Sequence, residues 1–373
     1  MDFLLSEERQ ILSDTVDKFF SKNYSIEKRF NGINSDDGFD KTIWAESCNL
    51  GIVSALVPTE FGGFGGTGED IAVIFEIIGK HLVVEPFLST AILGSVPLWK
   101  KNYKNCGNLI PEICNGNMHS TLAFLEANSR YSPSVVETQA NLRSTKYFLS
   151  GHKAVVMNAI MSDYMIVSAR LEGEIDSEDG IGLFIVQKNA KGLKYRNYGT
   201  IDSGLSSDLW FDDVEAELID DNAYDLLETT CSFGNLALAA EAVGIMGKIK
   251  KTTLEYLKIR KQFGKPLSSF QVLQHRMVEL VTEIEQAKSS MMLASAYLDK
   301  DRFVREKYIS GAKNLVGRVG KLVAEEAIQM HGGIAMCWEY DIAHYAKRLV
   351  MIDHVLGDAD HHLERFNFFS NLN

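Results

Sequence analysis

Three groups of side chains in this sequence have the composition of a ligand site. The run Arg260-Lys261-Gln262-Phe263-Gly264-Lys265-Pro266 sets the donors Arg260, Gln262 and Lys265 beside an aromatic ring. Guanidinium, amide and ammonium donors around one short turn suit a diphosphate, which they would hold by charge-assisted hydrogen bonds. A plainer reading explains part of the run: an arginine in a last helical turn suits the helix dipole, and Gly264 and Pro266 stop the helix. Gln329-Met330-His331-Gly332-Gly333 closes a long segment of helical periodicity. Its glycine pair either caps that helix or lets a ligand approach the backbone closely. HGG also occurs in esterase oxyanion loops, but the chain has no GxSxG nucleophile elbow, so hydrolase chemistry is set aside.

The third group is acidic. Glu241 interrupts the apolar run Leu236-Ala237-Leu238-Ala239-Ala240-Glu241-Ala242-Val243-Gly244. A carboxylate inside such a helix is either paired with a basic residue of another helix or turned toward a ligand cavity. Near the C-terminus, Asp353, His354, Asp358, Asp360, His361 and His362 crowd one stretch. Their spacing places no three of them on one helical face, so no metal is expected, and Asp358 or Asp360 reads as the cap of a helix starting after Gly357. Gly63-x-Gly65-x-x-Gly68 matches a dinucleotide fingerprint on paper, after a β-like run over residues 52–57. Pro58-Thr59-Glu60-Phe61 intervenes between that run and the glycines and no further βαβ units follow, so the segment reads as a structural glycine-rich loop.

Elements with three textures must position these groups. Residues 1–117 carry apolar positions at three- and four-residue steps, with Ser6 before Glu7 and Glu8 as a helix start and a second apolar helix from Asp70 to about His81. Residues 118–223 break into short β-branched runs separated by turns such as Ser150-Gly151 and Asp179-Gly180, as in an antiparallel barrel or sandwich. Residues 224–373 return to long stripes, including Leu273, Met277, Leu280, Ile284, Ala287 and Met291. These predict an antiparallel four-helix bundle. The expected architecture is α+β in three parts: N-terminal helical domain, central antiparallel β-barrel or sandwich, C-terminal bundle.

Composition narrows the partners. The 373 residues are 46% apolar and 24% charged, ordinary for a globular chain able to build a sizeable core. A formal charge of −12 argues against a nucleic-acid surface, though not against a small anion held locally. No apolar stretch reaches about 18 residues and no secretory pattern opens the chain, so no membrane partner is expected. Five scattered cysteines without CxxC spacing suit reduced thiols in the cytoplasm.

Taken in order, these features resemble the acyl-CoA dehydrogenase family over essentially the whole chain. The likeness rests on the helix–β–helix order, Pro58-Thr59-Glu60-Phe61-Gly62-Gly63, Arg260-x-x-Phe263-Gly264-x-Pro266 followed by Phe270-Gln271, and Gln329-x-His331-Gly332-Gly333. It implies FAD as cofactor, with Arg260, Gln262 and Phe263 contacting it across a subunit interface and Gln271, Gln329, Gly332 and Gly333 completing the cradle. It also implies α,β-desaturation of an acyl-CoA thioester, hydride passing from Cβ to the flavin and on to an electron-transfer flavoprotein, within a homo- or hetero-oligomer. The family's usual base, a glutamate before a glycine, falls here at Leu356-Gly357. The alternative base position, near Gly234, also lacks an acid, which leaves Glu241 and Asp358 as candidates. The usual threonine- and serine-rich flavin segment is replaced by Leu125-Glu126-Ala127-Asn128-Ser129, and the usual tryptophan–threonine pair by Val155 and Met157. The tail from Gly357 to Phe366 resembles a branch that includes pimeloyl-CoA dehydrogenase small subunits and paired steroid side-chain dehydrogenases. The alternative implied there is a catalytically silent subunit of an α₂β₂ enzyme.

Overall fold

A computed structural model describes residues 5–371. In chain order the helices are α1 (Glu7–Asn23), α2 (Ile26–Ile33), α3 (Lys41–Asn49), α4 (Gly68–His81), α5 (Val96–Lys100) and α6 (Cys106–Cys114). Seven strands follow: β1 (Ser120–Ala123), β2 (Gln139–Arg143), β3 (Lys146–Met157), β4 (Tyr164–Arg170), β5 (Ile181–Gln187), β6 (Leu193–Gly199) and β7 (Leu205–Asp220). The remainder is α7 (Tyr224–Ile259), a hairpin of β8 (Lys261–Gln262) and β9 (Lys265–Pro266), then α8 (Gln271–Tyr297), α9 (Arg302–His331), α10 (Asp341–His354) and α11 (Ala359–Asn371).

The chain divides into two compact units. One comprises residues up to Arg29, Thr67–Val83 and everything from Asn235 onward. Several of its helices start where a side chain satisfies free backbone N–H groups. The Ser6 hydroxyl accepts from Arg9 N, and Thr67 and Asp70 form a reciprocal capping box on α4. The stripe read from the sequence is the buried face of α8, with Met277, Leu280, Ile284, Ala287 and Met291 inside. α4 crosses α7 backbone to backbone: a Cβ at Gly79 would collide with the Glu241 carbonyl, and one at Gly244 with that of Glu76. Among the described residues, five α-helices follow the β-region rather than four. Gly357, at a φ of +117°, ends the turn after α10, and Asp358 caps a separate α11 by accepting from His361 N at 2.8 Å.

The other unit spans Phe30–Gly66 and Val84–Gly234 and contains the sheet. β2 pairs with β3, β3 with β7, β7 with β5 and β5 with β4, all antiparallel. A single pairing of Gln139 with Arg170 then joins β2 to β4. The sheet departs from the antiparallel expectation at β4, which runs parallel to both β1 and β2. The long chain between β1 and β4 supplies the crossover that a parallel pair requires. Leu149, Val167, Phe184, Val186, Leu209 and Val214 form its apolar core.

Three local readings change. The runs at 147–149 and 155–157 belong to one long strand, β3, which bulges between Lys153 and Val156. β2 and β6 lack the apolar alternation that marks strands in a sequence, because most of their residues are exposed. The β-like run at residues 52–57 is a set of 3₁₀ turns. The following glycines fold against them: a Cβ at Gly63 would strike the Val57 and Ser54 carbonyls. That segment is a turn packed on itself, not a phosphate loop.

Candidate active site

The donor run after α7 and the glycine pair after α9 meet at one end of the C-terminal helices. The Tyr256 hydroxyl, one turn before Arg260, donates to the His331 carbonyl at 3.1 Å. The two rings stack with centroids 4.5 Å apart. Arg276 and Glu326, 3.2 Å apart, tie the start of α8 to the last turns of α9. Arg260, Gln262, Gln271, Gln329, Gly332 and Gly333 therefore share one region, and all six are exposed.

The local backbone explains the display. The helix ends at Ile259, and Gly264 is a turn residue rather than its cap. Lys261 pairs with Pro266 and Gln262 with Lys265, leaving Phe263 and Gly264 as a two-residue turn with φ of +54° and +79°. Positive φ at both positions is the turn whose twist matches a β-hairpin, and there glycine costs nothing while phenylalanine is strained. The turn holds Phe263 outward at 92% exposure. A Cβ at Gly332 or Gly333 would meet nothing within 4 Å, so open space lies beside that backbone.

His331 is buried beneath this surface. Its Nδ1 lies 2.8 Å from the Ala327 carbonyl, which sets that nitrogen as the N–H. Its Nε2 is buried without a partner among the described residues. Burial pushes the imidazole pKa down, so the ring is neutral and Nε2 is an unspent acceptor. Exposed cationic and amide donors beside an open glycine turn fit the dianionic portion of FAD, whereas the His331 Nε2 acceptor would suit only an N–H or O–H donor.

The acids are placed differently. Glu241 is buried and accepts two hydrogen bonds from Arg348 of α10, Nε at 2.6 Å and Nη2 at 2.8 Å. Of the two readings open in the sequence, the structure holds the ion pair. Asp358 is half-buried and spends Oδ1 on the α11 cap. Leu356 is buried at a φ of +58°. Its carbonyl accepts from His362 Nε2 at 3.1 Å and Asn235 Nδ2 at 3.5 Å. Lys313, fully buried, donates to the carbonyls of Gly357 at 2.6 Å and Asp353 at 3.1 Å. Desolvation lowers the Lys313 pKa to about 7 and holds His362 well below the usual histidine range. Sequence reasoning missed this clamp; its signal was a lysine inside the apolar stripe of α9, four residues before Gly317, against which the Asp353 side chain lies.

In the β-unit, residues 125–129 are knit into their surroundings. Glu126 Oε2 accepts from Glu137 N at 2.7 Å, and Oε1 accepts from Thr138 N at 3.1 Å and Lys153 Nζ at 2.6 Å. Lys153, with no exposed surface, also donates to Phe124 O at 3.2 Å and Ser168 Oγ at 3.0 Å. Burial lowers the Lys153 pKa to about 8 against the pull of Glu126, whose own pKa is lowered. Val155 sits on the bulge of β3 at a φ of +53° and donates its N–H to Asp208 Oδ1 at 3.2 Å. Among the described residues no group of three or more histidine, cysteine, aspartate or glutamate side chains could hold a metal. No described helix is long and apolar enough to cross a membrane.

Comparison with known proteins agrees with this arrangement. The acyl-CoA dehydrogenase N-terminal domain matches residues 6–100, the middle domain 121–214 and the C-terminal domain 224–364. The chain belongs to the acyl-CoA dehydrogenase family, FAD-dependent flavoprotein oxidoreductases that act on CH–CH bonds. It is 28% identical over 364 residues to acyl-CoA dehydrogenase IpdE2 of Mycolicibacterium smegmatis, covering 97% of this chain and 98% of that protein. Among solved structures, a variant of the Tcur3481-Tcur3483 steroid ACAD superposes with a TM-score of 0.90 at 26% identity, covering 98% of each chain. The ChsE4-ChsE5 complex of Mycobacterium tuberculosis gives 0.90 at 20% identity over 100% of each chain, a likeness of fold.

Proposed function

We propose that this chain serves an FAD-dependent acyl-CoA dehydrogenase that desaturates an acyl-CoA thioester between Cα and Cβ and passes electrons to an electron-transfer flavoprotein. The observation that carries this is the Tyr256–His331 contact, which gathers Arg260, Gln262, Gln271, Gln329, Gly332 and Gly333 at one exposed end of the bundle. When bound, FAD supplies the hydride acceptor. Arg260 would supply positive charge and Gln262, Gln271 and Gln329 hydrogen-bond donors to its phosphates, with Phe263 offering an apolar face at the hairpin tip. Eighteen residues of continuous helix separate Glu241 from Ile259, about 27 Å at the helical rise. No side chain spans that length, which supports the donors acting on a flavin seated against a neighbouring subunit. Asp358 keeps Oδ2 beyond its cap bond and is the better of the two candidate Cα bases, Glu241 being committed to Arg348.

A second reading is favoured by Leu356 and the Glu241–Arg348 pair: the chain is a catalytically silent subunit of an α₂β₂ enzyme whose partner carries the base. The heteromeric ChsE4-ChsE5 structure and the steroid ACAD relative support such an assembly and a steroid side-chain or fatty acyl substrate. The test is expression alone and together with a candidate second acyl-CoA dehydrogenase subunit, followed by bleaching of the flavin spectrum with a panel of acyl-CoAs. Bleaching by any acyl-CoA supports the dehydrogenase. A flavin-loaded assembly that no acyl-CoA reduces overturns it, and loss of bleaching on Asp358→Asn with full flavin content assigns the base to this chain.

A further inference from the structure

We propose that Lys313 is a positioning residue for Asp358: it fixes the backbone of the turn between α10 and α11, and its ammonium keeps the Asp358 carboxylate ionised. The inference rests on the proposed reading of Asp358 as Cα base and goes beyond it in naming the group that holds that base ready.

One face of α9 is given over to this turn. Ser310, Lys313, Asn314 and Gly317 recur at the three- and four-residue steps that align side chains on a helix. Lys313 Nζ donates to Gly357 O at 2.6 Å and Asp353 O at 3.1 Å, and Asn314 Nδ2 donates to Ala359 O at 2.8 Å. Asp353 Oδ1, packed where Gly317 leaves room for it, accepts from Ala359 N at 3.0 Å. His362 stands between Ser310 Oγ, 3.4 Å from its Nδ1, and the Leu356 carbonyl, 3.1 Å from its Nε2. The carbonyls of Asp353, Leu356, Gly357 and Ala359 are thus each held by a side chain, while Asp358 keeps Oδ2 outside its cap bond.

Fixing the backbone does not by itself call for a lysine. A neutral amide can donate to two carbonyls without the cost of burying a charge. The ammonium also acts on the charges around it. Asp353 and Arg348 face it from α10, Asp358 from the turn and His362 from α11, with His361 and Arg365 next to His362. Arg348 is already paired with Glu241, and Asp353 Oδ1 is spent on Ala359 N. An ammonium near a carboxylate favours its ionised form, and only that form can take a proton from Cα. In the proposed reaction that proton goes to Asp358 and the Cβ hydride to FAD, while Lys313, fully buried, keeps its own protons. Burial lowers the Lys313 pKa to about 7, so its charge is present below that pH and lost above it. The neutral amine retains two N–H groups for the two carbonyls. Hold and charge therefore separate with pH.

Two measurements test this. In the first, the rate of flavin bleaching by acyl-CoA is followed against pH in the flavin-loaded assembly. Lys313→Gln is expected to move the acid limb up by about one pH unit with KM unchanged, and Lys313→Arg to leave the limb where it was. An acid limb unmoved in Lys313→Gln overturns the inference. The second measurement needs no activity and stands even if Lys313→Gln does not fold. Asparagine caps helices as well as aspartate does, so Asp358→Asn removes the charge and keeps the cap. Its urea midpoint is expected to fall below that of the unaltered chain at about pH 6, where Lys313 is charged, and to match it at about pH 9, where Lys313 is neutral. In a Lys313→Arg background the deficit persists at about pH 9, which separates this charge from that of His361. Equal midpoints at the lower pH, an equal deficit at both pH values with Lys313 in place, or no deficit at the higher pH in Lys313→Arg overturns the inference. Bleaching of Asp358→Asn at full rate, or no bleaching by any acyl-CoA, instead overturns the base reading, and with it the catalytic sense of the hold.

Discussion

Arg348 grips Glu241 with two parallel hydrogen bonds of 2.6 and 2.8 Å, joining α10 to the middle of α7 inside the C-terminal unit. A bidentate guanidinium–carboxylate pair fixes both position and orientation of its partners. Glu241→Gln removes the charge but keeps the shape, and is expected to cost about 2 kcal/mol, since it turns a neutral amide, one edge of it a donor, against the partly buried Arg348 guanidinium. Thermal denaturation of the variant checks this. A loss of desaturation rate at undiminished stability and flavin content would return Glu241 to the chemistry.

Phe263→Asn separates display from stability. Asparagine tolerates positive φ better than phenylalanine, so the hairpin is expected to keep or gain a few tenths of a kcal/mol. The variant loses the ring that is 92% exposed at the hairpin tip. Flavin content and oligomer size of the co-expressed assembly are expected to fall while the melting temperature does not.

Gly357→Ala tests the turn after α10. The residue sits at a φ of +117°, and a Cβ there would collide with the His362 ring. The expected loss is about 2 kcal/mol or more, from backbone strain and displacement of the imidazole together. Urea denaturation measures it.

The buried lysines give a pH signature. Burial lowers the pKa of Lys313 to about 7 and that of Lys153 to about 8, from the ordinary lysine value of 10.5. Between the folded and unfolded values the unfolded chain binds more protons, so stability rises with pH across that window. His362, held neutral by burial, acts with the same sign at lower pH: unfolding takes up a proton below about 6.5, so acid destabilises. Denaturation midpoints are expected to climb from about pH 6 to about pH 9. In Lys313→Met the upper part of that rise shrinks, at the cost of two unsatisfied carbonyls.

Glu126→Gln or Lys153→Met alone is expected to destabilise the chain by about 3–5 kcal/mol, while a double change to apolar residues of similar volume recovers most of it. A double-mutant cycle in urea provides the number. Additive single effects would show that the two charges do not depend on each other.

The long helices were legible because their apolar stripes repeat without interruption by proline; the buried face of α8 follows its sequence stripe from Met277 to Met291, with Leu273 half-buried at its start. β2 and β6 were not, because a strand with most residues in water carries no alternation to read. The hairpin at Phe263 was hidden for a different reason. Phenylalanine at positive φ breaks the local preference that sequence reading relies on, as strained functional positions do. The donor cluster could be named from composition, but its assembly depends on Tyr256 meeting His331 across 75 positions of sequence. The Lys313 clamp, a charge where periodicity expects an aliphatic side chain, shows only when the carbonyls of Asp353 and Gly357 are seen around it.

One feature of α7 sets a metric for the whole assembly. From Asn235, beside the Leu356 carbonyl, to Ile259, at the root of the donor hairpin, the helix runs without a break. It acts as a ruler. Each residue inserted or deleted between those points would slide the hairpin by about 1.5 Å and swing it by about 100° around the axis. The length of this rod is therefore as constrained as the residues it carries: a change of one residue would aim the donors at empty space.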